Sequence, residues 1–94
     1  MRCVSSGQRR PGTAESENLP DFFRIDLKAK SIREDKGRLS LIKQIDRSGG
    51  EIILYGSEAQ HSWVLMIREK TRRMSASVTG DGESFLIFGV CPAL

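Results

Sequence analysis

The sequence predicts an all-β domain: an antiparallel meander of about six to seven short strands, curled into a small barrel or clam. Three observations carry that prediction. Apolar and polar residues alternate residue by residue in several stretches, as they do on a half-buried sheet. Clusters of Gly, Asp, Ser and Lys interrupt those stretches at short intervals, as turns do. No segment between them is long enough for the crossover helix that a parallel sheet requires.

The strands follow in chain order. Phe23, Ile25 and Leu27 alternate with Arg24 and Asp26, which is strand periodicity. Lys30–Glu34 is a weaker strand centred on Ile32, closed by a turn at Asp35-Lys36-Gly37 in which glycine can take a positive φ. Leu39–Ile45 is the third strand. A short helix over 39–47 competes for that segment through the i, i+3 spacing of Leu39, Ile42 and Ile45, with room for about two turns. Ser48-Gly49-Gly50 breaks the chain. The β-branched and aromatic content of Glu51–Tyr55 gives a fourth strand, with Gly56 expected to end it.

His61–Ile67 carries Trp63, Leu65 and Ile67 on one face and Val64 and Met66 on the other, so it reads as a central strand. Arg73–Thr79 sets Met74, Ala76 and Val78 against Ser75, Ser77 and Thr79, which is one buried and one wet face. Gly80-Asp81-Gly82 makes a hairpin turn. Ser84–Val90 is apolar on both faces, and Gly89 within it marks a bulge or a close backbone approach. Trp63, Phe85 and Phe88 are expected in the core. Strands apolar on both faces at the end of a meander favour curling into a barrel.

Residues 1–20 lack apolar periodicity and are rich in Ser, Gly and Pro. Such a segment does not bury enough surface to offset its ordering entropy. The expected organisation is a flexible tail over 1–20 and a single β domain over 21–94. Ninety-four residues allow one domain, with a core of limited size.

The chain has 15 basic and 12 acidic residues, a formal charge of +3. The excess sits in residues 21–50, which hold eight basic against five acidic groups. Arg24, Lys28, Lys30, Arg33, Lys36 and Arg38 form the candidate basic patch, for nucleic acid or anionic lipid. Interleaved acids make a solvated mixed-charge surface the simpler reading. A single-strand binder would add exposed aromatics such as Phe22 and Tyr55 to that patch. Aromatic residues make up only 6% of the chain, which disfavours nucleic acid as the partner.

The two cysteines, Cys3 and Cys91, are too far apart for a CxxC redox or zinc motif. They form either a disulfide closing nearly the whole chain, worth roughly 4–5 kcal/mol in an oxidising compartment, or two unrelated thiols, with Cys91 buried and Cys3 exposed.

Catalytic patterns are sparse. His61 is the one histidine, at a strand start with no nucleophile beside it in sequence. The acids Glu34, Asp35, Asp81 and Glu83 flank turns, where carboxylates serve turn geometry. Zinc lacks His and Cys at useful spacing, calcium lacks an alternating oxygen-ligand loop, and Gly80-Asp81-Gly82 is not followed by the third glycine or the helix of a phosphate loop. No cofactor or metal is expected. No apolar run approaches the roughly 20 residues of a membrane-spanning helix.

Several stretches, FFRIDLKAKSIRED (22–35), GGEIILYG (49–56), Trp63-x-Leu65-x-Ile67, RRMSASVTGDG (72–82) and FLIFGVC (85–91), resemble small exported β-proteins of proteobacteria with no assigned activity. The similarity covers about residues 22–91. It implies a periplasmic or secreted protein, conditional on an apolar leader that does not follow Met1-Arg2; without one the expectation is cytoplasmic. It implies no catalytic residues. The expected function is that of a non-enzymatic β module binding a protein or surface partner. The alternatives are a basic nucleic-acid-binding module and a small hydrolase or apolar-ligand binder using the interior of the clam. Edge strands of an incompletely closed meander also offer backbone groups for homodimerisation.

Overall fold

The alternating stretches of the sequence become the strands of a single antiparallel sheet. The computed structural model describes residues 1–9, 16–17, 21–35, 37–58, 60–80 and 82–92. Among them are β1 (Arg2–Arg9), β2 (Ser16–Glu17), β3 (Asp21–Asp26), β4 (Ser31–Glu34), β5 (Leu39–Leu41), β6 (Gln44–Ser48), β7 (Glu51–Glu58), β8 (His61–Arg68), β9 (Arg73–Gly80) and β10 (Glu83–Val90). The order across the sheet is β5-β4-β3-β1-β10-β9-β8-β7-β6, with β2 paired to the end of β1.

Two features of that order shape the molecule. The first long strand, β1, pairs with the last, β10, as Val4 opposite Val90 and Ser5 opposite Gly89. The two outermost strands, β5 and β6, are consecutive in the chain. Ile42 and Lys43 join them, and their amides donate to the carbonyls of Lys30, beside β4, and Tyr55, on β7. The sheet is therefore curled into a half-barrel whose two ends are tied through one bent segment. Its inward face holds Cys3, Phe23, Ile25, Ile32, Ile52, Leu54, Leu65, Ile67, Met74 and Ala76. The all-β antiparallel meander expected from the pattern is the architecture found.

Four expectations need correction. The segment read as a tail contributes β1, in the middle of the sheet, and the short β2; residues 10–15 and 18–20 lie outside the described residues. Val4 is the one aliphatic of β1, so the strand has no amphipathic signature of its own. It is held by backbone pairing to β3 and β10 on its two sides and by the buried Cys3. The strand count rises because of β1 and β2, and because the predicted third strand is bent at Ile42–Lys43 into β5 and β6.

Gly56 does not end β7, which runs on to Glu58. A Cβ at Gly56 would stand 2.1 Å from Cζ2 of Trp63, its cross-strand partner. The glycine exists to let the indole lie against the strand, a packing role rather than a turn. Phe88 is not a core residue: it is 40% exposed on the outer face. Gly89 meets its expectation, since a Cβ there would come within 2.2 Å of the Val4 carbonyl oxygen, next to the register shift between Ser5 and Gly7.

Cys3 and Cys91 are joined by a disulfide, with Sγ atoms 2.08 Å apart and both residues buried. It links the N-terminal part of β1 to the residue after β10. The same corner is secured by Arg72, whose carbonyl accepts from the Cys91 amide and whose Nε donates to the Cys91 carbonyl, each at 2.8 Å.

Candidate functional site: a hollow with a charged rim

The inward face differs along its length. At one end Cys3, Cys91, Ile25, Ile52 and Ile67 are at most 2% exposed and fill the space between the strands. At the other end the strands enclose a hollow of about 270 Å³, walled by Phe23, Leu65, Met74, Ala76, Val78, Phe85 and Ile87, with Trp63 among them. Register explains this lining. Trp63 stands opposite Val78, and Val78 opposite Phe85, in one row across β8, β9 and β10. Leu65, Ala76 and Ile87 form the next row toward the packed end. Ala76 contributes little side-chain volume to the second row, whereas the Trp63 ring fills the space over Gly56.

Polar groups ring the open side. Glu34, Arg38, Ser40, Glu58 and His61 all border the hollow. Arg38 Nη2 donates to Glu58 Oε2, joining the segment before β5 to the end of β7. The Ser40 hydroxyl beside Glu58 and the Arg38 guanidinium hold its carboxyl below the usual range, against the opposing effect of burial; His61 adds a smaller pull in the same direction. The Glu58 hydrogen bond and charge in turn raise the Arg38 guanidinium above its ordinary value. His61 lies over Gly80, where a Cβ would stand 2.6 Å from the ring, and opposite Glu58 across the β7–β8 hairpin.

Chemically, the rim is an ion pair set beside an apolar chamber. Among the described residues no hydrogen bond joins His61 to Ser40 or Glu58, and Ser40 has a carboxylate rather than an imidazole beside it. A nucleophile–base pair needs those partners within hydrogen-bond reach. No cluster of His, Cys, Asp and Glu suited to a metal occurs among the described residues.

The predicted basic patch is divided by the fold. Arg24 and Arg33 are direct cross-strand neighbours on the outer face of β3 and β4. Lys28 and Lys30 occupy the turn between these strands, where Asp26 Oδ1 accepts from the amides of Lys28 and Ala29. Arg38 turns to the rim and pairs with Glu58. Lys36 lies outside the described residues. Sequence reading missed that Arg2, assigned to the tail, stands opposite Arg24, and that Arg38, Ser40, Glu58 and His61 converge. The only signal for the latter was the polar residues at inward-parity positions of otherwise apolar strands. The strands exposed at the ends of the sheet, proposed as dimerisation edges, are three and five residues long.

No helix among the described residues is long and apolar enough to cross a membrane. No protein-family model, curated protein or solved structure matches the chain.

Proposed function

We propose that this protein is a non-enzymatic, exported binding module, and that its site is the hollow at the open end of the half-barrel, which takes a small and largely apolar molecule. The observation that carries this reading is the chamber itself. The chamber of about 270 Å³ is open on one side and walled mainly by hydrocarbon and aromatic side chains. It lies just below the size range of ordinary ligand sites, which are apolar with a few placed polar groups. The Arg38–Glu58 pair and His61 supply those groups at the entrance. The buried disulfide fits an oxidising compartment, in keeping with export.

The test is a titration monitored through Trp63, the one tryptophan and a wall residue of the chamber. Octanol, with a chain of suitable length, is expected to shift its emission saturably. Ala76→Leu, which places a larger side chain inside the chamber, is expected to remove the response while the protein stays folded. An emission spectrum indifferent to octanol and to a panel of similar-sized apolar molecules would refute the reading.

A further inference from the structure

The most exposed large apolar side chains gather on one half of the outer surface of the half-barrel. The exposed large apolar side chains among the described residues are Phe22, Leu39, Leu41, Leu86, Phe88 and Val90. Every one belongs to β3, β5 or β10, within the half of the sheet that runs β10-β1-β3-β4-β5. The other half, β6 to β9, has none exposed to that degree among the described residues; its outer face sets the half-buried Ile53, Tyr55, Val64 and Met66 beside Ser62, Ser75, Ser77 and Thr79.

Cations stand in the middle of the apolar half. Arg2 is opposite Arg24, and Arg24 is opposite Arg33. Three guanidinium side chains therefore stand abreast on adjacent strands, roughly 4.8 Å apart at the backbone. Leu39 continues the row beyond Arg33. Like charges directly opposite each other destabilise a sheet, and among the described residues no carboxylate forms an ion pair with any of the three. Asp26, on the same face, has its Oδ1 engaged by backbone amides. The Arg2 guanidinium sits 5.2 Å from the centroid of the Phe22 ring, which positions one cation against the apolar surface beside it. In the next row toward the open end, Phe22, Val4 and Val90 stand side by side, bordered by Arg73.

A row of guanidiniums without an ion pair among the described residues selects a phosphate-rich partner, because guanidinium binds phosphate with two parallel hydrogen bonds. The flanking side chains decide which kind. Single-stranded nucleic acid is held on aromatic stacking platforms, whereas Leu39, Leu41, Leu86 and Val90 have no π-face. Aliphatic and Phe side chains interspersed with arginine are the composition of a surface that sits in the headgroup layer of a bilayer. The face is the convex side of a curled sheet, to which a fluid interface conforms.

We propose that this face docks on an anionic phospholipid bilayer, with Arg2, Arg24 and Arg33 meeting lipid phosphates and Phe22, Leu39, Leu41 and Val90 entering the headgroup region.

The experiment is vesicle flotation with the whole protein, using vesicles of phosphatidylcholine alone and of phosphatidylcholine mixed equally with phosphatidylglycerol. The protein is expected to float with the mixed vesicles, to do so less as salt rises, and not to float with phosphatidylcholine alone. Arg24→Gln is expected to weaken binding about fivefold and the Arg24→Gln/Arg33→Gln pair about thirtyfold, at about 1 kcal/mol for each arginine near the surface. Lys70→Gln, the same charge change in the β8–β9 turn, is expected to leave binding unchanged. These side chains are exposed, so the variants keep the wild-type Trp63 emission. The proposal is overturned by any of three results: no flotation with mixed vesicles at low salt, an equal loss for Lys70→Gln, or preference for a single-stranded oligonucleotide over the vesicles.

Discussion

The two ends of the half-barrel are built from the same strands and differ in how they are filled. At the packed end, branched aliphatic residues from β3, β7 and β8 meet a disulfide, and Ile25, Ile52 and Ile67 have almost no exposed surface. Each fully buried side chain of that size stabilises the fold by roughly 1.5–3 kcal/mol. At the open end, the wall residues of β8, β9 and β10 face space and a charged rim. A side chain beside a void loses part of its dispersion contacts. The contrast separates a packed half of the interior from a hollow half, and it does so within single strands: β8 carries Ile67 at one end and Trp63 at the other.

The largest expected effect tests the packed end. Replacing Cys3 and Cys91 by Ala removes a link between residues 88 apart, worth roughly 4–5 kcal/mol in the chain-entropy model. Thermal unfolding is then expected about 20 °C or more lower, since each kcal/mol moves a domain of this size by about 4–8 °C. A drop of only a few degrees would show that the fold stands without the staple.

Next in size are truncations that compare the two ends directly. Ile67→Ala is expected to cost about 2–5 kcal/mol, as for a buried Ile whose cavity cannot collapse. Val78→Ala, on the wall of the hollow, is expected to cost about 1 kcal/mol or less, because that side chain already faces space. Urea denaturation of both variants gives the ratio. Equal costs would mean the open end is packed in solution like the other.

Gly56→Ala has an intermediate consequence at the boundary. The added methyl would overlap the Trp63 ring and force it into the hollow, at a cost of about 1–3 kcal/mol. A shifted Trp63 emission should accompany the loss of stability.

The smallest effect is the pH response of the rim. The Glu58 pKa is lowered in the folded protein by Ser40 and Arg38, so the folded state binds the proton more weakly than the unfolded chain. The associated stability is present above the ordinary carboxylate value of 4.5 and is lost as pH falls through the lower folded value. Glu58→Gln is expected to make urea midpoints less pH-dependent in that acid window and to leave their behaviour near neutrality nearly flat.

The sequence exposed most of the sheet, because alternation is a local property. Met74–Val78 declared one inward face, Trp63–Ile67 read as a central strand apolar on both faces, and the register of β9 with β10 follows from the short connection between Gly80 and Glu83. It concealed β1, because a strand fixed by pairing on both sides and by a disulfide needs no periodicity of its own. That omission hid the arginine row as well, since Arg2 reaches Arg24 and Arg33 only through β1. The rim was illegible for a different reason. Arg38, Ser40, Glu58 and His61 are up to 23 residues apart in the chain, and their convergence depends on the bend at Ile42–Lys43 that closes the two ends of the sheet. Local pattern does not report such a bend: Leu39–Ile45 reads as one continuous strand, with a short helix over 39–47 as the lesser alternative.

The most direct test of the proposal that the hollow end binds a ligand while the packed end does not is methyl NMR during an octanol titration. The account predicts saturable shifts confined to the methyl groups of Leu65, Met74, Ala76, Val78 and Ile87, with Ile25, Ile52 and Ile67 unmoved. Shifts spread evenly over both sets, or seen only on the outer methyl groups of Leu39, Leu41, Leu86 and Val90, would contradict it.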